Sequence, residues 1–240
     1  MPFDTSARLP ARDHVLVQGA SDVERRFMAS VYRWMTFGLG LTALVAFAVA
    51  SSEEALRFIV ANKFVFFGLI LAELGLVVAL SAAAARLSAA TAGGLFLLYS
   101  ALNGATLSVV LLAYTGASVT LAFVSTAGMF LAMSVYATVT RKDLSSWGSF
   151  LFMGLIGVVI ASLVNLFLHS SMVTFIVSCM SVVVFTGLTA YDTQKLRVFA
   201  RAGGAGVAGG ALAVNGALSL YLDFINLFLA LLRLLGGRRE

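Results

Sequence analysis

Apolar residues run along this chain without the alternation of a strand or the polar stripe of a surface helix. From Leu87 to Thr140 no Asp, Glu, Lys or Arg interrupts the sequence. At the helical rise those residues would measure about 81 Å, against a hydrocarbon core of about 30 Å, so the run must cross a bilayer more than once. It divides at "AYTGAS" (113–118), where Gly116 and its hydroxyl-bearing neighbours favour a short turn. The apolar run from 144 to 191 divides in the same way at "HSS" (169–171). The remaining runs complete seven predicted helices, at 33–50, 64–85, 88–112, 118–140, 147–168, 172–194 and 211–233. A transmembrane β-barrel would need ten-residue segments alternating apolar and polar, and these runs are apolar on every side. The pattern predicts an all-α membrane protein with three parts: a cytoplasmic tail over 1–31, a seven-helix domain over 32–236 and a short tail over 237–240.

Composition sharpens this picture. Hydrophobic residues make up 60% of the chain, charged residues 11%, and the mean hydropathy is +0.99. Both prolines and four arginines fall in the first 31 residues, which read as a polar tail, helical from Asp22 onward. "MPFDTSARLPARDHV" lacks the apolar stretch of a cleavable signal, so the first span is expected to direct insertion. Cys179 is the single cysteine, which leaves no intrachain disulfide.

Charge predicts orientation. Arg8, Arg12, Arg25, Arg26, Arg33, Arg86, Arg141, Lys142, Lys195, Arg197 and Arg201 fall on one side of seven spans; Arg57, Lys63, Arg233, Arg238 and Arg239 fall on the other. Cationic loops stay cytoplasmic, which puts the N-terminus inside and the C-terminus outside a cytoplasmic (inner) membrane. The net charge of +5 is therefore a topology signal and not a nucleic-acid footprint. "RAGGAGVAGG" (201–210) lacks the Lys-Ser/Thr of a phosphate loop and reads as a linker. The small residues of "GLIGVVIAS" (154–162) read as helix packing. Asn103, Asn165 and His169 read as polar groups satisfied by neighbouring helices or the interface. No metal-ligand cluster or nucleophile elbow is present, so neither an enzyme nor a cofactor is predicted.

Acids inside the spans are different, because centring an Asp in a membrane helix costs roughly 2.5–3.5 kcal/mol. Glu73, Asp192 and Asp223 are the candidates. Asp223 lies near the middle of its span, with Ser219 and Asn226 on the same helix face, and lipid would leave that stripe unsatisfied. Asp192 has two readings. It is an ordinary boundary residue ahead of Lys195 and Arg197, or, if span six continues to about Arg201, it lies about 13 Å inside.

"GLTAYDTQKLR" and "ALSLYLDFINLFLALLRLLG" (217–236), with "RKDLSSWGSFLFMGLIG" (141–157), resemble the signatures of the Bax-inhibitor-motif transmembrane family in its bacterial branch. The resemblance implies six helices around a central seventh. It also implies that Asp192 and Asp223 form a pH-sensitive latch on a calcium-leak path, with Arg86 as the matching arginine partner. Glu73 receives no role from it and stands with Ser219 and Asn226 as a supporting polar group. Two carboxyls a hydrogen bond apart in a low dielectric cannot both ionise cheaply, so they share a proton and titrate as a pair. Ionised, they repel one another and offer oxygen ligands for a transient Ca²⁺ site. A competing expectation is a regulatory protein that binds a membrane-embedded protease or another integral partner. Proton-coupled metabolite transport is a weaker third, since no internal repeat is visible.

Overall fold

The breaks predicted at 113–118 and 169–171 become helix caps. A computed structural model of the chain describes residues 11–84, 86–204 and 209–237, with side chains from 21 onward. It contains α1 (Ala11–Ser51), α2 (Glu53–Ala61), α3 (Lys63–Ala83), α4 (Ala89–Leu112), α5 (Gly116–Val139), α6 (Ser145–Leu168), α7 (Ser171–Phe199) and α8 (Gly209–Leu235). No strand is present among the described residues. Thr115 caps α5 by accepting from the Ser118 amide at 3.2 Å, and Ser170 caps α7 by accepting from Val173 at 3.4 Å. Each side chain satisfies a donor that a helix start leaves open. Between α6 and α7, Asn165 bonds Thr174 at 2.7 Å and accepts from the Ser170 amide at 3.0 Å, while His169 closes α6 with φ 49°. These contacts satisfy Asn165 within its own hairpin.

Seven of the helices are long and apolar enough to cross a membrane, as the hydropathy pattern predicts. Two features differ from expectation. α1 begins at Ala11, ahead of the helix start predicted at Asp22, and runs unbroken into the first span; residues 1–10 and 238–240, and 205–208 of the glycine-rich segment, lie outside the described residues. α2 is an additional short helix in a segment predicted to be loop. Ser52 caps it, Glu53 and Glu54 occupy its first turn, and Phe58 and Val60 stay exposed beside buried Ile59. That is the pattern of a helix lying in the interface plane.

α8 is the core of the bundle. In its apolar window 61% of residues are buried, against 6% in α3 and 6% in α6. It packs on α7, α1, α5, α4 and the end of α3. α6 departs from the expected ring of six: it packs on α7 and makes no comparable contact with α8. Glycines bring α6 and α7 close. A Cβ on Gly148 would stand 2.7 Å from the Tyr191 ring, and one on Gly187 2.6 Å from Leu151. The 154–162 motif is only half used, since Gly154 meets Val184 whereas Gly157 faces open space.

Candidate functional site

The space that α6 leaves beside α8 is a cavity of about 520 Å³. It is lined by Asp192 and Lys195 of α7, Ser219, Asp223 and Asn226 of α8, and the start of α6 at Gly148. Two features of the chain bring the aspartates there. α7 continues to Phe199, and a π-type turn over Ala200–Gly204 carries the chain on, with Gly203 at φ 84°. Asp192 therefore lies inside the helix, and the reading that needed this extension is the one the structure supports. Asp223 falls beside the midpoint of α8 and is 4% exposed.

The three motif segments converge on this place. Gln194 accepts from the Leu144 amide at 2.8 Å and donates to the Lys142 carbonyl at 2.9 Å. The loop before α6 is thereby fixed to the end of α7, at the residue next to Lys195. Lys195 holds its ammonium 5.8 Å from the Tyr191 ring centre, at the mouth of the cavity.

No hydrogen bond joins Asp192 to Asp223, and Oδ2 of Asp223 is buried without a partner. Ser219 and Asn226 share the cavity but turn back on their own helix: Asn226 donates to the Leu222 carbonyl at 2.8 Å and Ser219 to Asn215 at 3.5 Å. They shape the cavity without binding Asp223. No group of three or more acid, histidine or cysteine side chains suited to a metal occurs among the described residues. Two carboxylates with water would make a weak, transient cation site.

Glu73 and Arg86 are not part of this cluster. Glu73 lies on the other flank of α8, where Asn103 donates to it at 3.2 Å and Thr106 at 2.5 Å. Tyr221 then donates to Asn103 at 3.0 Å and lies 2.6 Å from the Thr42 hydroxyl, which bonds the Ser100 carbonyl at 2.8 Å. The expectation that Asn103 is satisfied by its neighbours holds. Arg86 is exposed in the turn between α3 and α4, forms no ion pair among the described residues and does not line the cavity. The reason is topological: α3 packs on α2, α4 and α8, whereas the aspartates face α6. The arginine partnership implied by the resemblance is not made in this structure.

A second charged cluster went unforeseen. Glu24 of α1 is buried and pairs with Arg197 at 2.5 Å and with Arg201, whose Nη2 lies 3.2 Å from Oε1. Arg197 also donates to the Thr138 carbonyl at 2.7 Å. This ties the start of the first span to the ends of α5 and α7. In sequence Arg197 and Arg201 read only as cytoplasmic-side cations, and no spacing links position 24 to 197.

Residues 24–240 match the model of the family described as inhibitor of apoptosis-promoting Bax1. The chain belongs to the Bax inhibitor family. All three motif segments lie within the match. Among its relatives is the inner membrane protein YbhL of Escherichia coli strain K12, 48% identical over 234 residues, spanning 97% of this chain and 99% of that protein. Uncharacterized proteins of Deinococcus radiodurans (48% identical; 93% and 95% covered) and Borreliella burgdorferi (46%; 91% and 94%) are similar over comparable lengths. This Bax inhibitor family member is thus an integral membrane protein with seven candidate spans.

Proposed function

We propose that this protein is a pH-sensitive cation leak of the cytoplasmic membrane, gated by Asp192 and Asp223 and able to pass Ca²⁺. One observation carries the reading: a buried carboxyl at mid-span, with Oδ2 unpartnered, lines a cavity that a second carboxyl also lines. A structural acid would be bonded, because an unsatisfied polar group in a low dielectric costs about 1–3 kcal/mol. An acid that takes and loses a proton, or meets a passing cation, needs that oxygen free. In the latched state the two carboxyls share a proton across the cavity; with the proton lost, repulsion separates α7 from α8 and the carboxylates receive a cation. The N-terminus faces the cytoplasm and the C-terminus the outside, on the cation asymmetry of the loops.

The test is Ca²⁺ flux through the purified protein in liposomes across pH 6 to 8. Flux that rises several-fold with pH is expected. Absence of flux at every pH would sink the reading in favour of the competing one, a regulator bound to a membrane protease or other integral partner.

A further inference from the structure

A second cavity, of about 350 Å³, lies outward of the first on the same seam. Ser162 and Leu166 of α6, Ser181 of α7, and Asn226 and Arg233 of α8 line it. Leu155, Phe185 and Asn226 belong to both cavities, and no other residue does. Together the two run from Gly148 to Leu166 along α6, about 27 Å at the helical rise, which is close to the thickness of the hydrocarbon core. On α8 the lining residues Ser219, Asp223, Asn226, Ala230 and Arg233 recur at helical spacing and form one continuous stripe. α6 packs on α7 and makes at most marginal contact with α8, and the two adjoining cavities follow that gap.

We infer that the α6–α8 seam is a transmembrane path for water and small cations, closed at a single hydrophobic neck where Leu155 and Phe185 flank Asn226. This deepens the leak reading and rests on it for the ion. The inner half carries two carboxylates; the outer half has none, and its polar groups, Ser162, Ser181, Asn226 and Arg233, are set among Val and Leu side chains. Such a neck stops conduction by excluding water, and a small widening rewets it. Phe185 is on the helix that also carries Asp192, two turns away, so a displacement of α7 by carboxylate repulsion moves the neck directly. Arg233 is exposed and forms no ion pair among the described residues. At the outer mouth it disfavours cation entry by Coulomb repulsion.

Thiol accessibility in proteoliposomes tests the path without any assumption about the ion. In a Cys179→Ser background, Ser219→Cys, Ser162→Cys and the lipid-facing control Leu74→Cys are treated from either side with a membrane-impermeant cationic methanethiosulfonate. Ser219→Cys is expected to react from the cytoplasmic side only and Ser162→Cys from the outside only, each at least tenfold faster than Leu74→Cys. Phe185→Ala, or Leu155→Ala on the facing helix if the former does not fold, is expected to open each position to both sides. Arg233→Gln is expected to speed outside labelling of Ser162→Cys about threefold with the cationic reagent and not with a neutral one. Labelling of Ser162→Cys no faster than Leu74→Cys would overturn the path and leave an acyl-chain groove; an unchanged sidedness in both neck variants of folded protein would overturn the neck. A labelled path without Ca²⁺ flux would retire the calcium reading and keep the path.

Discussion

Tyr221 and Asp223 are two residues apart on α8 and therefore point to nearly opposite sides of it. On the Tyr221 side the polar groups bond one another: Asn103 and Thr106 donate to Glu73, Tyr221 donates to Asn103, and Thr42 donates to the Ser100 carbonyl, across α3, α4, α8 and α1. On the Asp223 side the polar groups face a cavity, and the buried carboxyl oxygen has no partner. Both flanks carry an acid inside the bilayer at a similar insertion cost. One is bonded at both oxygens; the other leaves an oxygen unbonded beside a cavity. The first arrangement fixes helices, and the second leaves a group free to change its charge. Glu24, clamped by two arginines, belongs with the first kind.

If that division holds, substitutions on the bonded side change stability more than they change pH response. Glu73→Leu should have the largest such effect, because it strands the Asn103 amide and the Thr106 hydroxyl in apolar surroundings. A loss of about 2 kcal/mol is expected, read as a lower thermal midpoint in detergent. A Glu73→Leu protein as stable as wild type would place Glu73 with the unbonded acids. Glu24→Gln should cost about 1 to 2 kcal/mol, since Arg197 keeps the Thr138 carbonyl while losing its carboxylate. High salt should shrink the difference, because Arg201 is half exposed.

Asp143 sits outside the spans and sets the lower bound. The Ser145 hydroxyl, followed by the Ser145 amide at 2.9 Å, holds its carboxyl below the usual carboxylate range. A folded value below the unfolded one gives stability that is present at neutral pH and lost as pH falls through the folded value. Asp143→Ala should thus lower the midpoint slightly at pH 7 and not at all well below pH 3.8. An equal drop at both pH values would show that the residue acts through packing.

The difference between the flanks was only partly legible in the sequence. Seven spans follow from long charge-free runs and their hydroxyl caps, which are local signals. The α8 stripe of Ser219, Asp223 and Asn226 was legible because 219, 223 and 226 share a face whatever surrounds them. Asp192 depended on how far α7 extends, which hydropathy hides once Lys195 and Arg197 appear. The partners of Glu73 lie on α4, and those of Glu24 beyond residue 196, at separations that no periodicity encodes. Arg86 illustrates the reverse: a position matched along the chain does not fix which flank of α8 a turn reaches. α2 had a local signal, the capping Ser52 ahead of two acids, that its length concealed.

The division between the two flanks is tested most directly by comparing Asp223→Asn with Glu73→Gln in one liposome assay of Ca²⁺ flux from pH 6 to 8. Each substitution removes a titrating group while keeping shape and hydrogen-bonding capacity. Asp223→Asn is predicted to flatten the pH profile at low flux, because a lone Asp192 has no second carboxylate to share a proton with or repel, and Glu73→Gln is predicted to keep the wild-type profile. A wild-type profile in Asp223→Asn, or a flat one in Glu73→Gln, would contradict the assignment of the gate to the unbonded side of α8.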